Sequence, residues 1–161
     1  MSMRPLEKPW QQLMRSPGAP LGERDMFPET RKDLPDGEDV PDALNFITIN
    51  YVMDGGGATL TVGKKKYLRV DFACIIREWA IFTDVVGSIQ IDINRSTYAD
   101  FPTTTSITAA AIPSVTAARK NRSTALTGWT PVIYPGDVLE FEVDSVTTVT
   151  GCTIALKARR L

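Results

Sequence analysis

Histidine is absent from the chain of 161 residues, and cysteine occurs only twice. A chain without histidine lacks the commonest general base and the commonest metal ligand of proteins. Cys74 and Cys152 both lie in strand-like runs, so we interpret them as small buried hydrophobic residues rather than zinc ligands or nucleophiles. A GxSxG motif is also missing. We therefore predict that the protein is not an enzyme and needs neither a metal nor a cofactor.

An excess of charge of one sign and long apolar runs are lacking too. With 18 basic and 19 acidic residues the formal net charge is −1, and no region is basic enough to follow a nucleic-acid backbone. The one cationic run, Lys64-Lys65-Lys66, is expected in a solvated turn. No apolar run approaches the roughly 20 residues of a membrane span, and the start MSMRPLEKPW holds no apolar segment of the secretory kind. The sequence thus predicts a chain made in a cytoplasm, with no nucleic-acid partner and no membrane insertion.

The residues that are abundant are β-branched and aromatic, and they are densest in residues 70–93. This composition predicts the core hairpin of an antiparallel domain, with its turn at residues 84–87. In the second strand of the hairpin, Ile89, Ile91 and Ile93 alternate with polar residues. A period of two is typical of a strand that has one buried face and one solvated face.

The first strand of this hairpin requires an irregularity. Cys74 and Ile76 share one parity of the strand, whereas Trp79 and Ile81 share the other. A regular strand cannot bury all four side chains on one face. We therefore predict a β-bulge near Arg77 and Glu78.

Further strands and turns are predicted on both sides of the hairpin. The predicted strands cover residues 44–53, 58–62, 67–71, 139–143 and 151–158. Turns are expected where Asp54 precedes three glycines, and at residues 134–137, which read Tyr-Pro-Gly-Asp. The intervening segment, residues 95–129, is rich in threonine, serine and alanine. We expect it to cross one end of the domain with a short helix at residues 114–122, held by Tyr98, Phe101, Ile112, Val115 and Leu126.

Glu140 and Glu142 lie on the same side of a predicted strand, because they alternate with Leu139, Phe141 and Val143. Two carboxylates on one face are compatible with a catalytic pair or a calcium site. Alternating acids are also the ordinary solvated face of a strand, and we favour that interpretation.

These patterns together predict an all-β fold, an antiparallel and jelly-roll-like β-sandwich of about eight strands over residues 44–161. Residues 1–43 differ, because they hold seven of the eleven prolines and so cannot form long helices or paired strands. We predict an extended, Pro-rich N-terminal arm that docks on a partner. Its expected partner-binding anchors are Trp10, Leu13, Met14, Met26 and Phe27.

Several motifs resemble a β-sandwich module found in virion proteins of tailed bacteriophages. They are Cys-x-Ile-x-x-Trp (74–79), Gly-Ser-Ile-x-Ile-Asp-Ile (87–93), Thr-Tyr-x-x-Phe-Pro (97–102), Leu-x-Gly-Trp (126–129), Gly-Asp-x-Leu-x-Phe-x-Val-x-Ser (136–145) and Cys-Thr-Ile-Ala-Leu-Lys (152–157). The resemblance covers roughly 90 of the 161 residues. Two features depart from it: Glu78 stands where the module usually has a small residue, and the arm has no counterpart.

The resemblance implies a structural protein of a tailed-bacteriophage virion, located on the virion after assembly in the host bacterial cytoplasm. We expect the arm to bind other virion proteins and the sandwich to be displayed as a tail or fibre component or a capsid decoration. The module is often trimeric, and Ile75 on the outward parity of the core strand would leave an apolar side chain in solvent. Both features favour a homotrimer.

The alternative function is an adsorption module that binds a host receptor or a host surface glycan. Sugar binding needs exposed aromatic rings with converging polar groups. Trp79 and Trp129 lie within the packing motifs, so we expect both in the core. The structural function is therefore favoured over this alternative.

Overall fold

The structure, a computed structural model, describes residues 45–161. These residues belong to one unit of the chain, Ala43–Leu161. The predicted arm lies outside the described residues, and the boundary at residue 43 stays a prediction. So do the docking roles of Trp10, Leu13, Met14, Met26 and Phe27. Within the described part of the chain, no helix has the length and apolarity needed to cross a bilayer.

Residues 45–161 form the antiparallel β-sandwich that the sequence predicts, with eight strands. The strands are β1 (Phe46–Asp54), β2 (Lys65–Val70), β3 (Cys74–Ser96), β4 (Thr105–Ser106), β5 (Ser114–Ser123), β6 (Val132–Ile133), β7 (Asp137–Thr147) and β8 (Gly151–Arg160).

Strand β3 is 23 residues long and belongs to both layers of the sandwich. Its first half, up to Thr83, pairs with β8, which in turn pairs with β1. Its second half, from Ser88, pairs with β7, which in turn pairs with β2. Its other edge pairs with β6, β5 and β4. We call the side with β8 and β1 the first layer and the side with β7 and β2 the second layer.

The two layers enclose one apolar core. Ile81 from the first half of β3 and Ile91 from the second half are both fully buried in it. The rings of Tyr51 on β1 and Phe141 on β7 stack with their centroids 5.2 Å apart, which joins the layers directly. Burying an aromatic side chain of this size contributes roughly 2 to 3 kcal/mol. The predicted inward residues are confirmed as buried: Ile89, Ile91, Ile93, Leu139, Phe141 and Val143.

The predicted β-bulge in β3 is confirmed. Ile76 pairs with Ala158 and Glu78 pairs with Lys157, so Arg77 is the extra residue between two consecutive partners on β8. The bulge reverses the parity of the strand. As a result Ile76 and Trp79 both reach the core.

The predicted hairpin at residues 84–87 is wrong, because β3 continues through these residues without reversing. This segment is instead the place where the strand passes from one layer to the other. Its partner changes from β8 at Thr83 to β7 at Ser88. A Cβ added to Gly87 would lie 2.5 Å from the Thr148 hydroxyl and 2.6 Å from the Thr147 carbonyl oxygen. The glycine therefore serves a close approach between two segments of the chain and not a turn.

The predicted helix at residues 114–122 is also wrong, because these residues lie in strand β5. Alanine, arginine and lysine favour a helix locally, but β5 gains backbone hydrogen bonds along both halves of β3. Tertiary pairing thus overrides local preference. Val115 is buried as expected, whereas Tyr98 and Phe101 are exposed and do not fasten the segment to the core.

Two smaller regions differ in part from expectation. Residues 58–62 form a loop and not a strand, although Leu60 is buried and its amide donates to the Val149 carbonyl oxygen. The turn expected at Lys64–Lys66 comes slightly earlier, since Lys65 already begins β2. The turns after Asp54 and at residues 134–137 are confirmed, with positive φ at Gly56, Gly57 and Gly136.

Replacing Gly87 with alanine should destabilise the fold, because the new methyl group would overlap backbone and side-chain atoms of residues 147–149. We expect Gly87→Ala to lower the free energy of unfolding by about 1 to 3 kcal/mol in urea titrations. Gly151→Ala is the matched control, since its Cβ would meet no atom closer than 3.5 Å. Equal stability of the two variants would contradict the close approach at Gly87.

Candidate functional site

The outer face of the second layer carries a row of polar residues across three strands. Tyr67 on β2 pairs with Glu140 on β7, and Glu140 pairs with Asn94 on β3. Glu140 points away from the core, because its neighbours Leu139 and Phe141 point into it. The carboxylate is nevertheless buried, with only 2% of the residue exposed. The interpretation of this acid as part of a solvated face is therefore wrong.

Glu140 is buried because other polar groups satisfy its charge. Its Oε1 accepts hydrogen bonds from Asn94 Nδ2 at 2.9 Å, from Thr104 Oγ1 at 3.1 Å and from Lys65 Nζ at 3.1 Å. A buried carboxylate without such partners would be strongly destabilising. The expected solvated face holds better for Glu142, which is 31% exposed and shares the Lys65 ammonium at 3.1 Å.

The surroundings on this face raise the pKa of two neighbouring groups. Hydrogen bonds to Glu142, and next to Glu140, raise the pKa of the Lys65 ammonium, so it stays charged at neutral pH. Removal from water, and then the negative charge of Glu140, raises the pKa of Tyr67. The face therefore combines a fixed ion pair with a neutral phenol.

A second carboxylate holds residues 106–108. Asp92 on β3 accepts hydrogen bonds from the hydroxyls of Ser106, at 2.9 Å, and Thr108. Thr108 is fully buried. Asp92 and Glu140 thus fix the two ends of residues 104–108 to the outer face of the sheet.

Residues 97–104 form a loop over this face, and its aromatic rings lie at the surface. Phe101 contacts Tyr67 edge to face, with centroids 5.1 Å apart. The Arg69 guanidinium lies 5.7 Å from the centre of the Tyr98 ring. Tyr98 is 74% exposed. The loop itself is closed by a hydrogen bond of 2.7 Å from Thr97 Oγ1 to Asp100 Oδ2.

Beside the loop is an open cavity of about 460 Å³, which we call the hydroxyl cavity. It lies at the end of β3, between the loop, β4 and Thr130. Most of its wall consists of charged and hydroxyl side chains. They include Arg95, Thr97, Asp100, Thr103, Thr105 and Thr130.

Three contacts hold the Arg95 side chain of the hydroxyl cavity. Its Nη1 donates to the Val132 carbonyl oxygen at 2.6 Å, and its Nε lies 3.7 Å from Asp137 Oδ2. The Tyr134 ring covers the guanidinium, with its centroid 5.7 Å from the central carbon. These contacts fix the direction in which the guanidinium faces the cavity.

The tryptophans and cysteines occupy the core, as predicted. Trp79 and Trp129 are buried, and Trp129 Nε1 donates to the Ala111 carbonyl oxygen at 2.9 Å. Both cysteines are free and buried. Burial raises the pKa of the Cys152 thiol to about 11 and also raises that of Cys74, so both thiols are protonated and packed at neutral pH. Among residues 45–161 no group of three histidine, cysteine or acidic side chains is placed to hold a metal.

Sequence reasoning did not single out the hydroxyl cavity. The predicted partner-binding residues lie in the arm, outside the described residues, and none of the residues of this cavity was proposed as a ligand site. Single threonines carry little signal, because they are common on any strand surface. One available signal was Thr97-x-x-Asp100, a spacing that closes a turn and presents the carboxylate.

Removing the Glu140 carboxylate should loosen the outer face, because Asn94 Nδ2 would lose its buried acceptor. We expect Glu140→Ala to lower the free energy of unfolding by about 2 to 4 kcal/mol. Glu142→Ala is the matched control and should cost about 0 to 1 kcal/mol, as for a surface ion pair. Urea titration measures both, and amide hydrogen exchange should become faster at residues 97–104 only in Glu140→Ala. Equal losses in the two variants would contradict the buried role of Glu140.

Comparison with known proteins gives no family for the chain. No protein-family model and no curated protein matches it, so the resemblance to a phage virion module stays a prediction. Among solved structures, it is similar to RmlC from Streptococcus suis in complex with dTDP-D-xylose, at 11% identity and a TM-score of 0.30, over 83% of this chain and 54% of that chain. It is also similar to the structure of infectious bursal disease virus, Gx strain, at 14% identity and a TM-score of 0.31. This match covers 70% of this chain and 32% of that chain. The chain thus spans about half of the first protein and a third of the second, and likeness of this degree assigns no function.

Proposed function

We propose that the protein is a structural component of a tailed-bacteriophage virion, assembled in the cytoplasm of the host bacterium. The arm, residues 1–43, attaches it to other virion proteins. The β-sandwich is displayed on the particle as a tail or fibre component or a capsid decoration. Its role in this proposal is mechanical and not catalytic.

The observation that supports this proposal is the position of the motif residues in the fold. Ile76 and Trp79 fill the core from the two sides of the β-bulge. Gly87 is required where β3 changes layer, and Gly136 takes a positive φ in the turn before β7. Most of the residues that carry the resemblance therefore build the sandwich, whereas Tyr98 and Phe101 of the motif at 97–102 are exposed in a surface loop. The resemblance concerns a structural module and no particular chemistry.

The outer face of the first layer offers an apolar surface for neighbouring subunits. Phe82 and Val52 are both exposed and lie in one cross-strand row, because each pairs with Thr153 of β8. Ile75, which we expected to be left in solvent, is half-buried between Val132 and Arg159 in the sheet. The apolar surface thus lies at a different place from the one predicted. Association into a homotrimer stays a prediction.

One observation supports the alternative function, which is adsorption to a host receptor or glycan. The tryptophans are buried, but Tyr134 is exposed and covers Arg95 of the hydroxyl cavity, and Tyr98 is exposed in the loop beside it. Exposed rings beside convergent polar groups are the features that a saccharide site needs. A displayed virion protein can serve both purposes.

Deleting residues 1–43 should leave a folded sandwich that no longer joins the particle. Double substitution of Trp10 and Phe27 by alanine should weaken incorporation markedly, because each aromatic anchor contributes roughly 2 to 3 kcal/mol when it is buried against a partner. Quantitative mass spectrometry of purified particles measures the copy number, and circular dichroism checks the fold. Leu34→Ala, in the same arm, is the control and should be incorporated normally. Full occupancy of the truncated protein would show that the arm is not the anchor.

A further inference from the structure

The hydroxyl cavity contains hydrogen-bonding groups that the fold does not use. Thr103, Thr105 and Thr130 line it and are exposed. Their side-chain hydroxyls have no hydrogen-bond partner among residues 45–161, although the backbone amides of Thr103 and Thr130 are bonded to Asp100 and Ile107. Three hydroxyls, each able to donate and accept, therefore face one volume.

Two groups of opposite charge complete the wall. Asp100 accepts from Thr97 through Oδ2, and its Oδ1 has no partner within the described residues. Arg95 is held through Nε and Nη1, which leaves its Nη2 amino group for a ligand. A carboxylate accepts from hydroxyl groups and a guanidinium donates to them, so the pair suits a ligand whose groups do both.

One aromatic ring lies next to a wall residue of the cavity. Tyr134 is 58% exposed and covers Arg95, which lines the cavity. Tyr98 belongs to the same loop as the lining residues Thr97 and Asp100, but its ring lies against Arg69 and is not part of the wall. An exposed tyrosine ring offers an apolar face with a polar end. Such a face packs against the C–H surface of a ring that carries hydroxyls on its edge.

Other ligand classes fit the wall less well. A phosphate or carboxylate ligand would be attracted by Arg95 but repelled by the Asp100 carboxylate, and an apolar ligand would strip water from hydroxyls without replacing their hydrogen bonds. A metal ion would find one carboxylate and no histidine in this wall. The volume of about 460 Å³ lies in the range of small-molecule sites, which is roughly 300 to 1,000 Å³.

We propose that the hydroxyl cavity binds a neutral saccharide unit of a glycan. Asp100 and Arg95 recognise neighbouring hydroxyls of the sugar, the three threonines bond the others, and a tyrosine ring packs on its apolar face. This inference rests on the alternative function, adsorption to a host glycan, for which it names the site and the ligand class, and it is tested on the isolated protein. Failure of saccharide binding and failure of virion incorporation are therefore separate results.

The first test is saturation-transfer difference NMR on the full-length protein with glucose, galactose, rhamnose and N-acetylglucosamine. An array of bacterial surface oligosaccharides tests longer glycans in parallel. We expect saturation transfer to at least one of these sugars and matching signals on the array. No transfer and no array binding with any of these probes would overturn the proposal.

Variants then locate the binding. Thr103→Val with Thr130→Val removes two hydroxyls without changing side-chain volume, and Asp100→Asn removes the charge while keeping the turn. We expect each variant to bind the sugar at least roughly tenfold more weakly by calorimetric titration. Thr48→Val on β1, an exposed threonine in the other layer, is the control and should bind normally. Unchanged affinity in both cavity variants, with circular dichroism showing that they are folded, would place the sugar elsewhere and contradict the inference.

Discussion

The fold depends on strand β3 continuing through residues 84–87 without reversing. This strand forms hydrogen bonds with β4, β5, β6, β7 and β8, and the remaining strands β1 and β2 join the sheet only through β8 and β7. The direction in which β3 leaves the first layer therefore sets the position of the second layer. The close approach at Gly87 lies where the strand changes layer, and the bulge at Arg77 keeps both Ile76 and Trp79 in the core of the first half.

The long strand also explains why a polar network can be buried on an outer face. The last residues of β3 extend beyond the layer crossing and place Asp92 and Asn94 beside Glu140 and Glu142 of β7. These groups bind the residues that follow the loop, and the loop then excludes water from Glu140. The desolvation cost of the carboxylate is offset by donors from three separate strands or loops. The same loop forms one wall of the hydroxyl cavity, so the network positions the proposed ligand groups.

The all-β fold class and many of the core residues could be predicted, because alternation of apolar and polar residues is a local signal. The alternation of Ile89, Ile91 and Ile93, and the parity change between Ile76 and Trp79, were sufficient to place those side chains in the core and to predict the bulge. The path of β3 at residues 84–87 could not be predicted, because Gly87 is required by its close contact with residues 147–149, which are distant in sequence. The strand conformation of β5 could not be predicted for the same reason, since its helix-favouring residues are paired with residues of β3. The burial of Glu140 and the convergence of Thr103, Thr105 and Thr130 likewise depend on long-range placement, which alternation along one strand does not report.

The central claim is that residues 74–96 form one strand across two layers. Backbone proton–proton Overhauser effects in the isotopically labelled full-length protein test it directly. A continuous β3 predicts contacts between Ile81 and Ile154 of β8, and between Ile91 and Val143 of β7. A hairpin with its turn at residues 84–87 would instead give contacts between Phe82 and Ile89 and between Ala80 and Ile91, and their observation would contradict the account.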